Sequence, residues 1–312
     1  SGATFGDKLS PVSDTTNLAA MSAGTSLYRH IHSMLFTTIP TFIVLSVILL
    51  VVGLFFTEGS GQFAQLESLL SALDDTYVLN PFITFIPIVV MMFCSLRRMS
   101  AEVSMALSVI AATLIAIIVQ QQPIAVALNA LWSNSSPNTG IDSLNTLLGR
   151  GGISSMSWTL LVSIMALAMG GILNGAGFLR VLLEGLLARL RRTGSVVAST
   201  IGAGVIGNMG MGEAYITIIL NSQLFKPVFK RRQLDAAVLS RSVEEGATMS
   251  TGLIPWTTAG AFYASTLMVP VVEYAPYALL NYLNPLISIA MAYLGFGLLR
   301  KNAKTHAESE PS

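Results

Sequence analysis

The chain has 312 residues, of which 53% are hydrophobic and 11% charged, with a mean hydropathy of +0.67 and a formal net charge of +1. That much apolar surface exceeds what one water-soluble core can hide, so the composition excludes an ordinary soluble domain and indicates an all-α polytopic membrane protein with the lipid bilayer as its solvent. The near-neutral charge excludes general attraction to nucleic acid, and the single Cys94, set in an apolar run, excludes a disulfide framework or a thiolate metal site.

The first stretch, 6–17, reads Gly-Asp-Lys-Leu-Ser-Pro-Val-Ser-Asp-Thr-Thr-Asn. It packs Asp7, Lys8, Asp14 and the helix-breaking Pro11 next to sequence that is otherwise apolar. Charge beside a membrane is expensive and calls for a reason. One reason is a broken transmembrane helix whose unwound middle offers oxygens to a cation while its carboxylates exchange protons. The other is an exposed polar turn, with Asp14 capping a helix that starts at Thr15.

Apolar runs long enough to cross the membrane lie at about 35–56, 103–119, 158–175 and 283–299, with a shorter one at 82–96. The Arg97-Arg98-Met99-Ser100 link predicts a tight antiparallel pair turning on the cytoplasmic side. Segment 120–156 then falls outside, its apolar piece 124–132 too short to span, and 57–80, acidic and without Lys or Arg, also falls outside. Residues 178–190 have the pattern of a helix lying on the cytoplasmic surface. Residues 196–225 are flanked by basic clusters at both ends, which predicts a re-entrant hairpin turning at 207–213 with arms of about 12 residues. A second broken helix is expected over 236–269, interrupted at 250–255, and the last helix brings Arg300, Lys301 and Lys304 to the cytoplasm, where the C-terminus lies.

Pro11-Val-Ser-Asp-Thr-Thr16 with the later Pro40 parallels Pro255-Trp-Thr-Thr258 with the later Pro285, at nearly constant offset, and the charge rule gives the two broken helices opposite directions. Paired discontinuous helices in inverted repeats are the architecture of secondary transporters. The chain then divides into 1–34 (broken helix of a first repeat and cytoplasmic connector), 35–156 (scaffold helices and extracellular segment), 157–301 (second inverted repeat) and a tail, 302–312. Counterparts of 158–245 would lie upstream of Ser1 in a longer natural chain.

The opening motif, with Gly207-Asn208-Met209, 240–245, Leu253-Ile-Pro-Trp256 and 281–288, resembles the NhaC family of Na⁺/H⁺ antiporters. The resemblance implies an inner-membrane antiporter of the ion transporter superfamily, moving Na⁺ out against incoming H⁺. Relatives also exchange malate for lactate or move amino acids, so an organic-acid or amino-acid exchanger is the alternative. The chain departs from the family pattern at Gly252 and Thr257 and at the hairpin tip Gly210-Met-Gly-Glu213. The expected mechanism is competition at a desolvated carboxylate that holds either a proton or Na⁺, a hard cation that wants oxygen ligands. Asp14 with Ser13, Thr15, Thr16 and Asn17 forms the first-half ligand set, and Asn208, Thr251, Thr257 and Thr258 the second-half candidates.

Lys8 is expected to pair with Asp7 and hold the unwound strand, or else to receive an organic anion. Glu213 serves ion exchange or helix capping; Glu244 and Glu245 are proton- or ion-exchange candidates, with Arg241 their structural partner one turn away. His30 and His32 read as a solvated juxtamembrane pair, Trp158 and Trp256 as packing or interfacial anchors, and Asn174 as a pathway-lining or capping side chain. No hydrolase or protease motif is present, so no enzyme is expected, and no cofactor beyond transported Na⁺ and H⁺. A homodimer is left open.

Overall fold

In a computed structural model of the chain, residues 1–10, 13–56, 61–97, 99–133, 138–149, 151–177, 181 and 192–299 are described, and among them every regular element is a helix. Two of these helices, Leu27–Phe55 and Ile153–Leu173, are long and apolar enough to cross a membrane. Two bent helix pairs, broken by 81° and 53°, raise the number of candidate spans to four. The surface helix expected over 178–190, the side chain of Asn174 and the tail from 302 lie outside the described residues.

The chain divides into two compact units, Leu54–Ser157 and a second made of Ser1–Gly53 with Trp158–Ser312. In the first, the helices Ile86–Leu96 and Ala101–Ile118 pack side by side around the short basic link, and Ser108 Oγ donates to the carbonyl of Pro87 at 2.8 Å. The short apolar piece forms a helix of its own, Ile124–Trp132, and the acidic stretch expected outside contains a further one, Gly61–Thr76.

The larger unit carries the polar sequence motifs. Helix α1 (Gly2–Leu9) stops at Ser10, which is extended at φ −78° and ψ 125°, the conformation imposed on a residue preceding proline. Helix α2 starts at Asp14, runs to Ala23 and ends on the left-handed Gly24. The break is therefore narrower than 6–17: Asp7 and Lys8 lie on one helix and Asp14 to Asn17 on the next. Helix α3 (Leu27–Phe56) carries Pro40 inside it, and α4 (Ser157–Gly175) follows in this unit.

Helices α5 (Thr193–Met211) and α6 (Ala214–Arg231) form a hairpin closed by the left-handed Gly212, with Glu213 capping α6 through Tyr215 N–H. Asn221 Nδ2 donates to the carbonyl of Thr200 across the pair at 2.9 Å. The turn falls within the expected 207–213, but the arms of 19 and 18 residues reach about 28 and 27 Å, well beyond half a bilayer. α5 begins at Thr193, where Ser195 Oγ and the Arg192 backbone close the N-terminus, and α6 runs on to Arg231 because Pro227 sits within it without ending it. Helix α7 (Ala236–Thr251) breaks at Gly252 and resumes as α8 (Thr258–Leu267); α9 (Leu279–Leu294) carries Pro285.

Helix α7 is the centre of the unit, packing against α2, α5, α6 and α9. Ala19, Ile201, Ile218, Phe225, Val243 and Ala247 form the apolar core around it. Helices α5 and α7 approach through Gly204 and Gly246: a Cβ on Gly246 would lie 2.4 Å from the carbonyl oxygen of Ile201. Gly246→Val is expected to cost about 1–3 kcal/mol by forcing the helices apart, read as a lowered melting temperature in detergent. Gly202→Ala, with nothing within 4 Å of the new methyl, is the matched control and is expected to melt at or slightly above the parent.

Candidate functional site

Every residue of α7 from Ala237 to Thr251 is buried, including Arg241, Glu244 and Glu245. Buried charges demand partners, and the partners come from segments far away in sequence. Lys8 Nζ lies 3.7 Å from Glu245 Oε1 and donates to Asn284 Oδ1 at 2.7 Å, all of it out of solvent. Thr37 Oγ1 donates to Glu245 Oε1 at 2.5 Å. Glu244 accepts from Thr16 Oγ1 at 3.1 Å through one oxygen and meets His30 Nε2 at 2.5 Å through the other. Asn284 Nδ2 reaches Thr41 Oγ1 at 3.2 Å, so the residues flanking Pro40 and Pro285 touch.

Beside this cluster lies a cavity of 630 Å³. Its polar wall combines Asp7, Asp14 and Thr15 around the first break with Thr248, Thr251 and Thr258 around the second, and Glu213 from the hairpin turn. Three carboxylates face it, and among the described residues no Lys, Arg or His lines it. A chamber of that charge attracts a cation and repels an anion. Tyr215 Oη donates to Asp14, whose other oxygen accepts from Thr15 N–H at 2.7 Å, so the carboxylate is held in place from both sides. The hydroxyls of Thr248 and Thr251 lie buried with no partner among the described residues.

Of the sequence candidates, Asp7, Asp14, Thr15, Glu213, Thr251 and Thr258 share this cavity. Ser13 sits just behind, its hydroxyl 3.1 Å from that of Thr15, and Asn17 Nδ2 donates to the Ser13 carbonyl at 2.7 Å. Thr16 turns to Glu244 instead. Thr257 is buried as the cap of α8 and donates to the carbonyls of Thr251 and Ile254. Asn208 staples α5 to α7 by donating to the Ala247 carbonyl at 2.5 Å and Ser250 Oγ at 2.9 Å.

Three expectations are corrected. Lys8 pairs with Glu245, not with Asp7, because 7 and 8 are adjacent on a helix and point in different directions: Asp7 to the cavity, Lys8 into the buried cluster. Arg241 makes no ion pair with Glu244 or Glu245 among the described residues; its guanidinium donates at 3.1 Å to the carbonyls of Ser33 and Gly297, the two carboxylates being already engaged. His30, on α3, is fully buried against α7, whereas His32 is exposed as expected. The sequence carries a signal for the first of these histidines: His30, Ser33, Thr37 and Thr41 recur at helical spacing along α3, a polar stripe that meets α7 and, at Thr41, α9. Trp256 acts as the expected anchor, its indole donating to the carbonyl of Met209 at 2.9 Å.

The sequence profile of the Na⁺/H⁺ antiporter family matches residues 2–296. The chain is 32% identical over 298 residues to the Na⁺/H⁺ antiporter NhaC of Alkalihalophilus pseudofirmus, covering 95% of this chain and 64% of that protein. It is 31% identical to the NhaC of Bacillus subtilis, covering 94% and 65%. It is also 30% identical to the malate-2H⁺/Na⁺-lactate antiporter of Bacillus subtilis, covering 99% and 66%. No solved structure matches it. The chain spans just under two thirds of the length of these relatives. With a family match running almost from end to end, the chain belongs to the Na⁺/H⁺ antiporter family.

Proposed function

We propose that the protein exchanges Na⁺ for H⁺ across the bacterial inner membrane by alternating access, with its C-terminus in the cytoplasm. The observation that carries this reading is the cavity with three carboxylates, six threonines and no cationic side chain among the described residues. Its oxygens suit a hard cation, and a carboxylate that releases its proton when Na⁺ arrives couples the two flows in opposite directions. In this reading Asp7, Asp14, Thr15, Glu213, Thr251 and Thr258 contact the ion in turn, and Ser13, Asn17, Asn208 and Thr257 hold the broken segments in shape.

The same reading includes an inverted repeat, in which 1–34 and 35–156 precede a second repeat over 157–301 containing a re-entrant hairpin. Two features support it: each half has a helix, a break, a second helix and a later proline-bearing helix, and both breaks open on one cavity. The organic-anion alternative loses its receptor, since Lys8 is fully buried against Glu245 and Asn284 and does not line the cavity.

Reconstitution of the full-length protein tests the proposal. An imposed Na⁺ gradient is expected to move protons the other way; uptake of labelled malate or arginine without any Na⁺-dependent pH change would replace it with the exchanger reading. Tyr215→Phe removes the donor that fixes Asp14 and is expected to raise the Na⁺ concentration for half-maximal exchange about two- to tenfold, the order of one hydrogen bond.

A further inference from the structure

Both ring nitrogens of His30 are engaged inside the protein. Nδ1 lies 2.6 Å from Ser240 Oγ, a hydroxyl that also reaches the carbonyl of Ala237 at 3.1 Å, so Ser240 accepts from a protonated Nδ1 or turns its hydrogen to a bare one. The other ring nitrogen lies 2.5 Å from Glu244 Oε2. A bare lone pair and a bare carboxylate oxygen repel at that separation, so a proton lies between them, on Nε2 or on Oε2. With Nδ1 protonated as well, the pair holds one proton more than a neutral imidazole beside an ionised carboxylate, and Ser240 can serve either state, so the pair, fully buried on both sides, is built to gain and lose one proton.

We propose that the His30–Glu244 pair is a second proton position of the exchanger, separate from the cavity carboxylates, and that the proton it holds is the one Na⁺ entry displaces. The proposal rests on the Na⁺/H⁺ reading and adds to it a residue outside the cavity. Neither His30 nor Glu244 lines the cavity. Thr16 joins the two places: its hydroxyl donates to Glu244 Oε1, and it follows Asp14 and Thr15, which form the cavity wall.

The surrounding charges make the proton count there consequential. Lys8 of α1, with Glu245 and Arg241 of α7, is buried around Glu244, and Asp7 of α1 faces the cavity beyond. Losing the pair's proton makes these buried surroundings more negative by one charge, which is costly until a cation arrives nearby. The cavity on the other side of Thr16 is where a cation is received. Reciprocity follows: a proton on the pair disfavours Na⁺ in the cavity, and Na⁺ in the cavity drives the proton off. One H⁺ leaves to water as one Na⁺ enters from water, and only an N–H or O–H bond is broken.

The test uses the full-length protein in proteoliposomes with two readouts: exchange of radiolabelled Na⁺ for unlabelled Na⁺ at equal pH, which needs no net proton movement, and proton movement driven by a Na⁺ gradient. If the parent protein shows neither, the Na⁺/H⁺ reading itself fails. Given a coupled parent, His30→Gln and Glu244→Gln are each expected to retain Na⁺/Na⁺ exchange within about twofold while Na⁺-driven proton movement falls about tenfold or more. Half-saturation by Na⁺ should also lose much of its dependence on pH. Unaltered proton coupling in both variants overturns the proposal. So does an equal loss of both readouts, or failure of both variants to fold, either of which gives the pair a purely structural role.

Discussion

Asp14→Asn is expected to abolish Na⁺-driven proton movement, and to take Na⁺/Na⁺ exchange with it. Asp14 is the one carboxylate that lies at the first helix break, faces the cavity and is steered by two donors, Thr15 N–H and Tyr215 Oη. Asn keeps the size and one acceptor but removes the charge that a hard cation needs, and without bound Na⁺ nothing drives a proton off. Loss of a charged contact of roughly 3 kcal/mol corresponds to a fall of about 100-fold or more in transport at limiting Na⁺. The loss of both readouts separates this variant from His30→Gln. Retained coupling in Asp14→Asn, with coupling lost instead in Asp7→Asn or Glu213→Gln, would move the ion to that other carboxylate of the cavity.

The breaks that frame this site are legible in the sequence for a simple reason. Proline and glycine act locally, so Ser10 before Pro11, and Gly252 ahead of Pro255, mark the ends of their helices, although Pro40, Pro227 and Pro285 are carried inside theirs. The carboxylate and hydroxyl content of each break is equally local, which is why Asp14, Thr15, Thr251 and Thr258 can be found without a structure. What the chain does not reveal locally is which face of a helix meets which partner. Lys8 looks like a counter-ion to its neighbour Asp7 until the helix places the two on different faces. Arg241 has Glu244 and Glu245 at pairing distance in sequence, and only the arrival of α3 and α1 on the other side of α7 gives those carboxylates better partners. His30 stands next to an exposed Arg29 that bonds Asp235 at 2.5 Å, and this basic surroundings masks the polar stripe that continues through Thr37 and Thr41. Long-range pairing is therefore where local reading stops.

The second large effect concerns stability. Lys8→Met is expected to lower unfolding stability by about 3–5 kcal/mol, because Glu245 would remain buried with its counter-charge gone. Asn284 would lose its donor at the same stroke, and Glu245 Oε2 already has no partner among the described residues. The penalty belongs to the orphaned charge and not to the loss of an attractive pair, since bringing both ions out of water costs about as much as their attraction returns. The double variant Lys8→Met with Glu245→Gln should accordingly recover most of the melting temperature in detergent, Gln keeping an acceptor for Thr37. Thermal melts of the parent, the two single variants and the double variant close a cycle in which the coupling term is read directly. If Lys8→Met melts with the parent, or the double variant melts no higher than the single, α1 is not anchored to α7 through charge. The alternative anchor would then be the short link from Thr16 Oγ1 to the carbonyl of Lys8 and to Glu244, which survives in every member of the cycle.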